Sequence, residues 1–451
     1  MSIKKLFNPE RVVLIGSNSL QERVGMTSPY LFGNVASNMR RFYRGKTRVI
    51  DVDLIGKMKK ANGKAEPSDL AVIMLPPADS IKHVEECARN GAGVIVLITG
   101  GYNESQRKRL LSVKQEFGIR ILGPNTIMGV LNTANGLNTT FEKGLMPEKG
   151  DVAIVSQSGG VGACLLDWAS YYDIGISKAA FVGDKIDIDD VELLEYLGLD
   201  QRTRVICFYI EGIKSGRQFI EQARKVTKLK PILALKGGVA KESARRAKSH
   251  TASIAGSDQI FDAAMKKAGI IRVSTIEELM NGALALSKQS PMEGDNVAVL
   301  SNVGGPAILA GDSILKCNLK LARLSGAVKT KIETLYPGID ASNPIDLIAD
   351  ARADRYERVL KLIINDANVD GVLVINMLKS TFFRPSDAKV VAEISAKHPR
   401  KPIVDVPMGG EDFGKVHKLL GRSCVPLYNL PNKAVQALCV LREYGRILQK
   451  H

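Results

Sequence analysis

The sequence predicts an α/β protein of three doubly wound domains whose sheets are mainly parallel. A chain of 451 residues has the length of about three ordinary domains. Hydrophobic residues make up 45% of the chain and aromatic residues 5%, so short aliphatic segments supply most of the apolar content, as in buried parallel strands. Stretches of helical periodicity separate these segments, and this alternation is typical of parallel sheets covered by helices.

The first domain is predicted to span residues 1–146, with strands near 12–15, 48–52, 70–75, 94–98 and 120–122. A doubly wound sheet binds ligands beyond the carboxyl ends of its strands, where backbone amides can approach a phosphate-bearing molecule. The candidate ligand-binding residues at those ends are Gly16, Ser17, Asn18, Ser19, Pro76, Ile98, Thr99, Gly100 and Asn125. Ordinary tight turns between strand and helix are the alternative interpretation.

The second domain is predicted to span residues 147–290. Its first strand ends in a segment that we call the serine loop, residues 156–160, and a helix follows. Glycines there let backbone N–H groups point at an anion, and the positive end of the helix dipole adds to the attraction. The predicted phosphate-binding residues of the loop are Ser156, Gln157, Ser158, Gly159 and Gly160. The strand near 205–210 ends in Glu211, which places a carboxylate at the same sheet edge.

The third domain is predicted to span residues 291–451, and it begins with a repeat of the serine loop. Ser301, Asn302, Gly304 and Gly305 again join a strand to a helix, and we assign them to a second phosphate site. Two such loops on two similar domains suggest that a phosphoryl group is handled at two places. Duplication of the fold without duplication of the function is the alternative.

His250 is the candidate catalytic residue among five histidines. It lies between basic residues at 241–248 and small residues at 252–256, so the surroundings are cationic and leave room for a bulky group on the ring. Its loop follows the strand predicted near 232–235, which places it at the edge of Glu211 and the serine loop. A histidine in such a place could hold a phosphoryl group. A satisfied polar or surface histidine is the alternative.

Composition excludes several classes of function. The net charge is +16, but the lysines and arginines are spread along the chain without a nucleic-acid-binding motif, so an acidic partner or a polyanionic substrate is favoured over nucleic acid. The six cysteines lack metal-binding spacing and indicate a reducing, cytoplasmic compartment and no metal site. We find no signal peptide and no apolar run long enough to span a membrane.

Four segments, taken in order, resemble the motifs of one enzyme family. They are 123–125 (Gly-Pro-Asn), the serine loop, 209–212 (Tyr-Ile-Glu-Gly) and 249–256 around His250. The chain resembles the α subunit of the NDP-forming acyl-CoA synthetases, relatives of succinyl-CoA synthetase, and among them the ADP-forming acetate–CoA ligase type. The resemblance implies a Rossmann-like CoA-binding domain followed by two flavodoxin-like domains, the first of which carries a phosphohistidine.

The resemblance also implies an activity and a partner. The reaction is acyl-CoA + ADP + phosphate ⇌ acid + ATP + CoA, with acetate or another small carboxylic acid, through an acyl phosphate and a phosphohistidine at His250. Glu211 would hydrogen-bond the second imidazole nitrogen. CoA and phosphate would bind to this chain, whereas ADP or ATP and Mg²⁺ would bind to a separate ATP-grasp β subunit in an α2β2 heterotetramer.

The chain departs from the family pattern at a few positions, and two other functions stay open. Thr126 and Ile127 follow the Gly-Pro-Asn motif where Cys and Leu are usual, and Asp184 stands where Asn is common. One rival is a CoA-binding sensor or scaffold of the same fold without turnover. The other is a nicotinamide-dependent oxidoreductase, which lacks support because no GxGxxG follows the first strand.

Overall fold

A computed structural model describes residues 3–17, 31–52, 68–240, 258–379 and 382–450 of the chain. The chain divides into two compact units, residues 1–273 and 274–451. Three mainly parallel sheets carry the architecture, two in the first unit and one in the second. The predicted fold class is therefore confirmed.

The first sheet contains β1 (Arg11–Gly16), β2 (Lys46–Asp51), β3 (Leu70–Met74), β4 (Val94–Leu97) and β5 (Arg120–Leu122), all parallel, in the order β2-β1-β3-β4-β5. Alternate residues face opposite layers because a strand has a period of two. Leu14 and Val72 pack with the helix Leu31–Phe42, while Val13 and Ile73 pack with the helices Pro77–Arg89 and Glu104–Phe117. Burial on both faces explains why β1, β3 and β4 are almost wholly aliphatic, whereas the edge strand β2 is less buried and more polar.

The second sheet contains β6 (Val130–Asn132), β7 (Leu137–Asn138), β8 (Lys149–Ser156), β9 (Ile176–Phe181), β10 (Val205–Ile210), β11 (Ile232–Lys236) and β12 (Ile271–Val273). Their order is β12-β11-β10-β8-β9-β6-β7, and among the described strands β6 alone runs antiparallel to its neighbours, β9 and β7. Its helices are Gly159–Tyr171, Asp190–Leu199, Gly216–Val226 and Asp258–Ala268. The pair β6–β7 belongs to this sheet although it precedes residue 147, because Val130–Asn132 pairs with β9.

The third sheet contains β13 (Asn296–Ser301), β14 (Lys320–Leu321), β15 (Ile345–Asp346), β16 (Gly371–Met377) and β17 (Ile403–Met408). The order is β14-β13-β16-β17, and β15 also pairs with β13. Helices of this unit are Ile276–Lys288, Gly304–Lys316, Gly326–Leu335, Ala353–Ile364, Lys389–Lys397, Gly410–Leu420 and Pro431–Gln449. The helix Ile276–Lys288 is tied into this unit by an ion pair of 2.5 Å between Lys433 and Glu277. The domain limits at 146 and 290 stay predictions.

Candidate active site

The serine loop and Glu211 lie side by side at one edge of the second sheet. β8 and β10 are parallel neighbours, with Ser156 paired to Tyr209, so the residues that follow both strands emerge together. The chain runs from β8 to β9 on one side and then crosses back to β10 on the other side. Such a reversal opens a crevice at the carboxyl ends of the strands, which is where α/β sheets bind ligands.

The serine loop is shaped by its two hydroxyl groups. Ser156 Oγ donates to the carbonyl of Ser158 (2.7 Å) and accepts from the N–H of Ser158 (3.2 Å). Ser158 Oγ caps the next helix by accepting from the N–H of Val161 (3.3 Å). Among the described residues, no acceptor contacts the N–H groups of Gly159 and Gly160 at the helix start. These two amides and the helix dipole form a site suited to a phosphoryl group.

Glu211 is 6% exposed and is held from several directions. Its N–H donates to Gln157 Oε1 (2.6 Å), and the Tyr209 hydroxyl donates to its Oε1 (3.4 Å). Burial, together with the nearby Glu211, raises the pKa of Tyr209 to about 12, so the phenol stays a donor at neutral pH. A Cβ on Gly237 would lie 3.3 Å from Glu211 Cγ, which shows how closely the chain leaving β11 passes the carboxylate. His250 belongs to the segment that follows, and it lies outside the described residues.

A buried ion pair that sequence reasoning missed supports the turn after β10. Lys185 Nζ donates to Asp190 Oδ2 (2.6 Å) and to the carbonyl of Gly212 (2.7 Å), and both side chains are buried. Burial raises the pKa of Asp190, while Lys185 acts against that rise. Lys214 Nζ reaches back to the carbonyl of Asp184 (3.1 Å). The available signal in the sequence was the set of charged residues between β9 and the helix Asp190–Leu199.

The departures from the family pattern lie where the first two sheets meet. Asp184 Oδ2 accepts from Arg107 (2.5 Å), and its Oδ1 accepts from Asn125 Nδ2 (3.3 Å). Thr126 is 1% exposed, and its hydroxyl donates to the carbonyl of Leu97 (3.2 Å). Ile127 packs against Gly159, where a Cβ would come within 2.8 Å of it. These side chains therefore join the Gly-Pro-Asn segment to the serine loop.

The candidate ligand residues of the first sheet follow β1, β3, β4 and β5, as predicted. The reversal of strand order falls between β1 and β3, which places Ser17 and Pro76 beside the crevice. Thr99 is 2% exposed, and its hydroxyl donates to the carbonyl of Leu75 (2.6 Å), so its side chain serves the fold. Gly16 contacts the ring of Phe32. Asn18 and Ser19 lie outside the described residues.

The repeat in the second unit reproduces the hydrogen bonds of Ser156 and Gln157 but not the helix cap of Ser158, because Val303 stands at that position. Ser301 Oγ donates to the carbonyl of Val303 (2.8 Å), and Asn302 Oδ1 accepts from the N–H of Met377 (2.8 Å). Met377 thus takes the place that Glu211 has in the first unit. A carboxylate oxygen of Asp346 would lie 3.2 Å from a Cβ on Gly304. Its negative charge weakens the attraction of this helix start for an anion.

The described part of the chain has neither a candidate metal centre nor a candidate membrane-spanning helix. Within it, no grouping of His, Cys, Asp or Glu side chains has an arrangement suited to a metal ion. None of its helices combines the length and the apolar character that crossing a bilayer demands.

Comparisons with known proteins agree with this geometry. The model described as "Succinyl-CoA ligase like flavodoxin domain" matches residues 149–286, and a "CoA binding domain" model matches residues 44–132. The chain is 35% identical to the acetate–CoA ligase [ADP-forming] II subunit alpha of Pyrococcus furiosus, over 98% of this chain and 97% of that protein. It is 30% identical to the 4-hydroxybutyrate–CoA ligase [ADP-forming] of Nitrosopumilus maritimus, over 99% of this chain and 64% of that protein.

A solved structure extends the agreement to three dimensions. The dinucleotide-forming acetyl-coenzyme A synthetase 1 of Ca. Korarchaeum cryptofilum, in complex with phosphate and ADP, superposes with a TM-score of 0.89 at 30% identity and covers 100% of this chain and 98% of that chain. Fold and site thus define an acid–CoA ligase with a CoA-binding domain and a flavodoxin-like domain. The chain belongs to the family of ADP-forming acetate–CoA ligase α subunits. The predicted family and enzyme class are confirmed.

Proposed function

We propose that this chain is the catalytic α chain that interconverts acyl-CoA, ADP and phosphate with a small carboxylic acid, ATP and CoA. Acetate is the first acid to test, since several relatives of the family carry its name. The observation that carries the proposal is the meeting of Glu211 with the available amides of Gly159 and Gly160 at one sheet edge.

The chemistry proceeds in two steps on this chain. Phosphate attacks the thioester carbonyl of acyl-CoA, which breaks the C–S bond and gives an acyl phosphate and CoA. An imidazole nitrogen of His250 then attacks phosphorus, which breaks the P–O bond to the acyl group and releases the carboxylic acid as its anion. Glu211 accepts a hydrogen bond from the other nitrogen and stabilises the developing positive charge. The serine-loop amides hold the phosphoryl oxygens.

The remaining transfer is assigned to a partner. The P. furiosus relative is named a subunit alpha, and the N. maritimus relative is longer than this chain, which spans 64% of it. The name of the first relative supports a β subunit as the partner, and we assign to that subunit an ATP-grasp domain that binds ADP or ATP and Mg²⁺, in an α2β2 heterotetramer. We place CoA against residues 1–146 and the phosphohistidine within 147–290. A cytoplasmic location remains a prediction from the cysteine pattern.

The test is a panel of acids supplied to the complex of this chain with its β subunit, together with CoA, Mg²⁺ and ATP. We expect ADP release that depends on both CoA and a small carboxylic acid. Thermal shifts of the same complex separate the rivals, because a ligand that binds the native state raises the melting temperature. A shift with CoA and no turnover would identify a sensor, and a shift with NAD alone would identify an oxidoreductase.

Glu211→Gln is expected to slow phosphohistidine formation about 100- to 1,000-fold, because the amide cannot stabilise the positive imidazole as a carboxylate does. Rapid quenching with acetyl-CoA and radiolabelled phosphate measures the rate. Glu221→Gln is the matched control, since that glutamate is 60% exposed and pairs with Arg217 on the surface of a helix. Equal rates for Glu211→Gln and the control would remove Glu211 from the mechanism.

A further inference from the structure

We propose that Gln157 is a positioning residue that holds Glu211 at a fixed place relative to the phosphate-binding amides of Gly159 and Gly160. The inference rests on the proposed function, since it concerns the same reaction centre. Sequence reasoning assigned Gln157 to phosphate binding, but its side-chain carbonyl has a different task in the structure.

The side-chain carbonyl of Gln157 binds the turn after β10. Gln157 Oε1 accepts from the N–H of Glu211 (2.6 Å) and from the N–H of Gly212 (3.0 Å). The backbone N–H of Gln157 donates to the carbonyl of Tyr209 (3.1 Å). The residue is 3% exposed, so water cannot readily replace these bonds. The backbone of Gln157 thus belongs to the serine loop, while its side chain belongs to the carboxylate.

The turn that carries Glu211 is held from its other side as well. The carbonyl of Gly212 accepts from Lys185, whose charge is balanced by Asp190. Buried side chains therefore bond both the N–H groups and the Gly212 carbonyl of this turn. Without the Gln157 carbonyl, two buried N–H groups would lose their acceptor, and the turn would have to shift to find another. Such a shift would move the carboxylate relative to the amides of Gly159 and Gly160.

The amide nitrogen of Gln157 has no such structural task. Gln157 Nε2 is buried and has no hydrogen-bond partner among the described residues. The hydrogen bonds that Oε1 accepts also fix the direction of Nε2, because both atoms belong to one planar amide group. A direct contact from Nε2 to phosphate would act on phosphate binding, whereas the contact of Oε1 acts on Glu211. Kinetics can separate the two effects, since the first changes KM for phosphate and the second changes kcat.

The experiment uses the complex of the full chain with its β subunit, acetyl-CoA and inorganic phosphate. Gln157→Met keeps the length of the side chain and removes both polar atoms. We expect kcat for phosphohistidine formation to fall about 10- to 100-fold, with KM for phosphate changed less than about twofold. When Glu211 is already glutamine, adding Gln157→Met should lower kcat by less than about a further threefold. The reason is that Gln157 acts through the Glu211 carboxylate, which that variant lacks.

Gln289→Met is the matched control. Gln289 is 5% exposed, and its Oε1 accepts from the N–H of Ile403 (2.9 Å), so the same substitution removes a comparable buried contact in the other unit. We expect it to lower the melting temperature and to leave kcat unchanged. If Gln157→Met does not fold, Gln157→Asn provides the test, because it keeps the amide but withdraws the acceptor by one methylene group. It should lower kcat in the same way.

Two results would give Gln157 a different role and so overturn the inference, and a third would show that it has no role in the reaction. One is a rise in KM for phosphate at unchanged kcat, which would make Gln157 a phosphate ligand. The other is a double variant whose fall in kcat equals the product of the two single falls, which would show that Gln157 and Glu211 act independently. A wild-type complex that forms no phosphohistidine would overturn the proposed function itself. An active wild type with an unaffected Gln157→Met would overturn this inference alone.

Discussion

His250→Ala is expected to abolish phosphorylation of the chain. With its β subunit, Mg²⁺ and radiolabelled ATP, the wild type should acquire an acid-labile label on His250, and the variant should lose at least about 1,000-fold in rate of labelling. The physical reason is that a P–N bond requires an imidazole nitrogen, and alanine offers no other nucleophile. Electrophoresis of the quenched complex under alkaline conditions measures the label.

The structure supports this expectation through the start of the segment that contains His250. β11 ends at Lys236 beside β10, and a Cβ built on Gly237 would lie 3.3 Å from Glu211 Cγ. The described part of the chain that precedes this segment therefore passes close to Glu211, the carboxylate in the proposed mechanism. His83→Ala is the control, because the His83 ring pairs with Glu86 (3.0 Å) on a helix of the first sheet. An undiminished label in His250→Ala would refute the assignment.

Asp405→Asn is expected to make the second unit more stable than the wild type above about pH 7. Asp405 is fully buried, and its Oδ1 accepts from Asn376 Nδ2 (2.6 Å). Asp405 Oδ2 and Asn376 Oδ1 are also buried, and neither has a hydrogen-bond partner among the described residues. When Asp405 Oδ2 carries a proton, its O–H can donate a hydrogen bond, and Asn376 Oδ1 is a buried acceptor without another partner among the described residues. Burial raises the pKa of Asp405 to about 7, although the hydrogen bond from Asn376 opposes the rise.

Because burial raises the pKa of Asp405, the wild type should lose stability as the pH rises. The pKa of Asp405 is higher in the folded chain than its ordinary value of 3.8, so its contribution to stability is complete below about pH 4 and disappears as the pH rises through about 7. Between pH 5 and pH 8 the loss is on the order of 3 kcal/mol. An amide at position 405 stays neutral at every pH, so the variant should lack this loss.

Urea unfolding followed by circular dichroism at pH 5 and pH 8 measures the effect. The informative quantity is the difference in free energy of unfolding between Asp405→Asn and the wild type, because other titrating groups cancel in it. Asp350→Asn is the control, since the Asp350 side chain is 55% exposed and pairs with Arg355 (2.7 Å). The explanation fails if Asp405→Asn and the wild type differ by the same amount at both pH values.

Much of the fold could be predicted because local pattern and burial agree. The aliphatic segments near 12–15, 70–75, 94–98 and 205–210 are strands in the structure, because both faces of a parallel sheet are covered. The serine loop and Glu211 were expected at one edge for the same reason, since parallel strands end on the same side. Sequence pattern also predicts a strand near 425–428, but the structure has only an isolated bridge there, from Leu427 to Asp405.

The amino-acid sequence alone determined the α/β class, the order of the motifs and the residues that leave the sheet edges, because these depend on periodicity and on short-range chemistry. Only the tertiary structure decided which side chains those residues contact. Gln157 meets Glu211, and Asp405 meets Asn376, because strands distant in the chain become neighbours in a sheet. Strand order is a property of the packed whole, and so are the hydrogen bonds and the pKa values that depend on it.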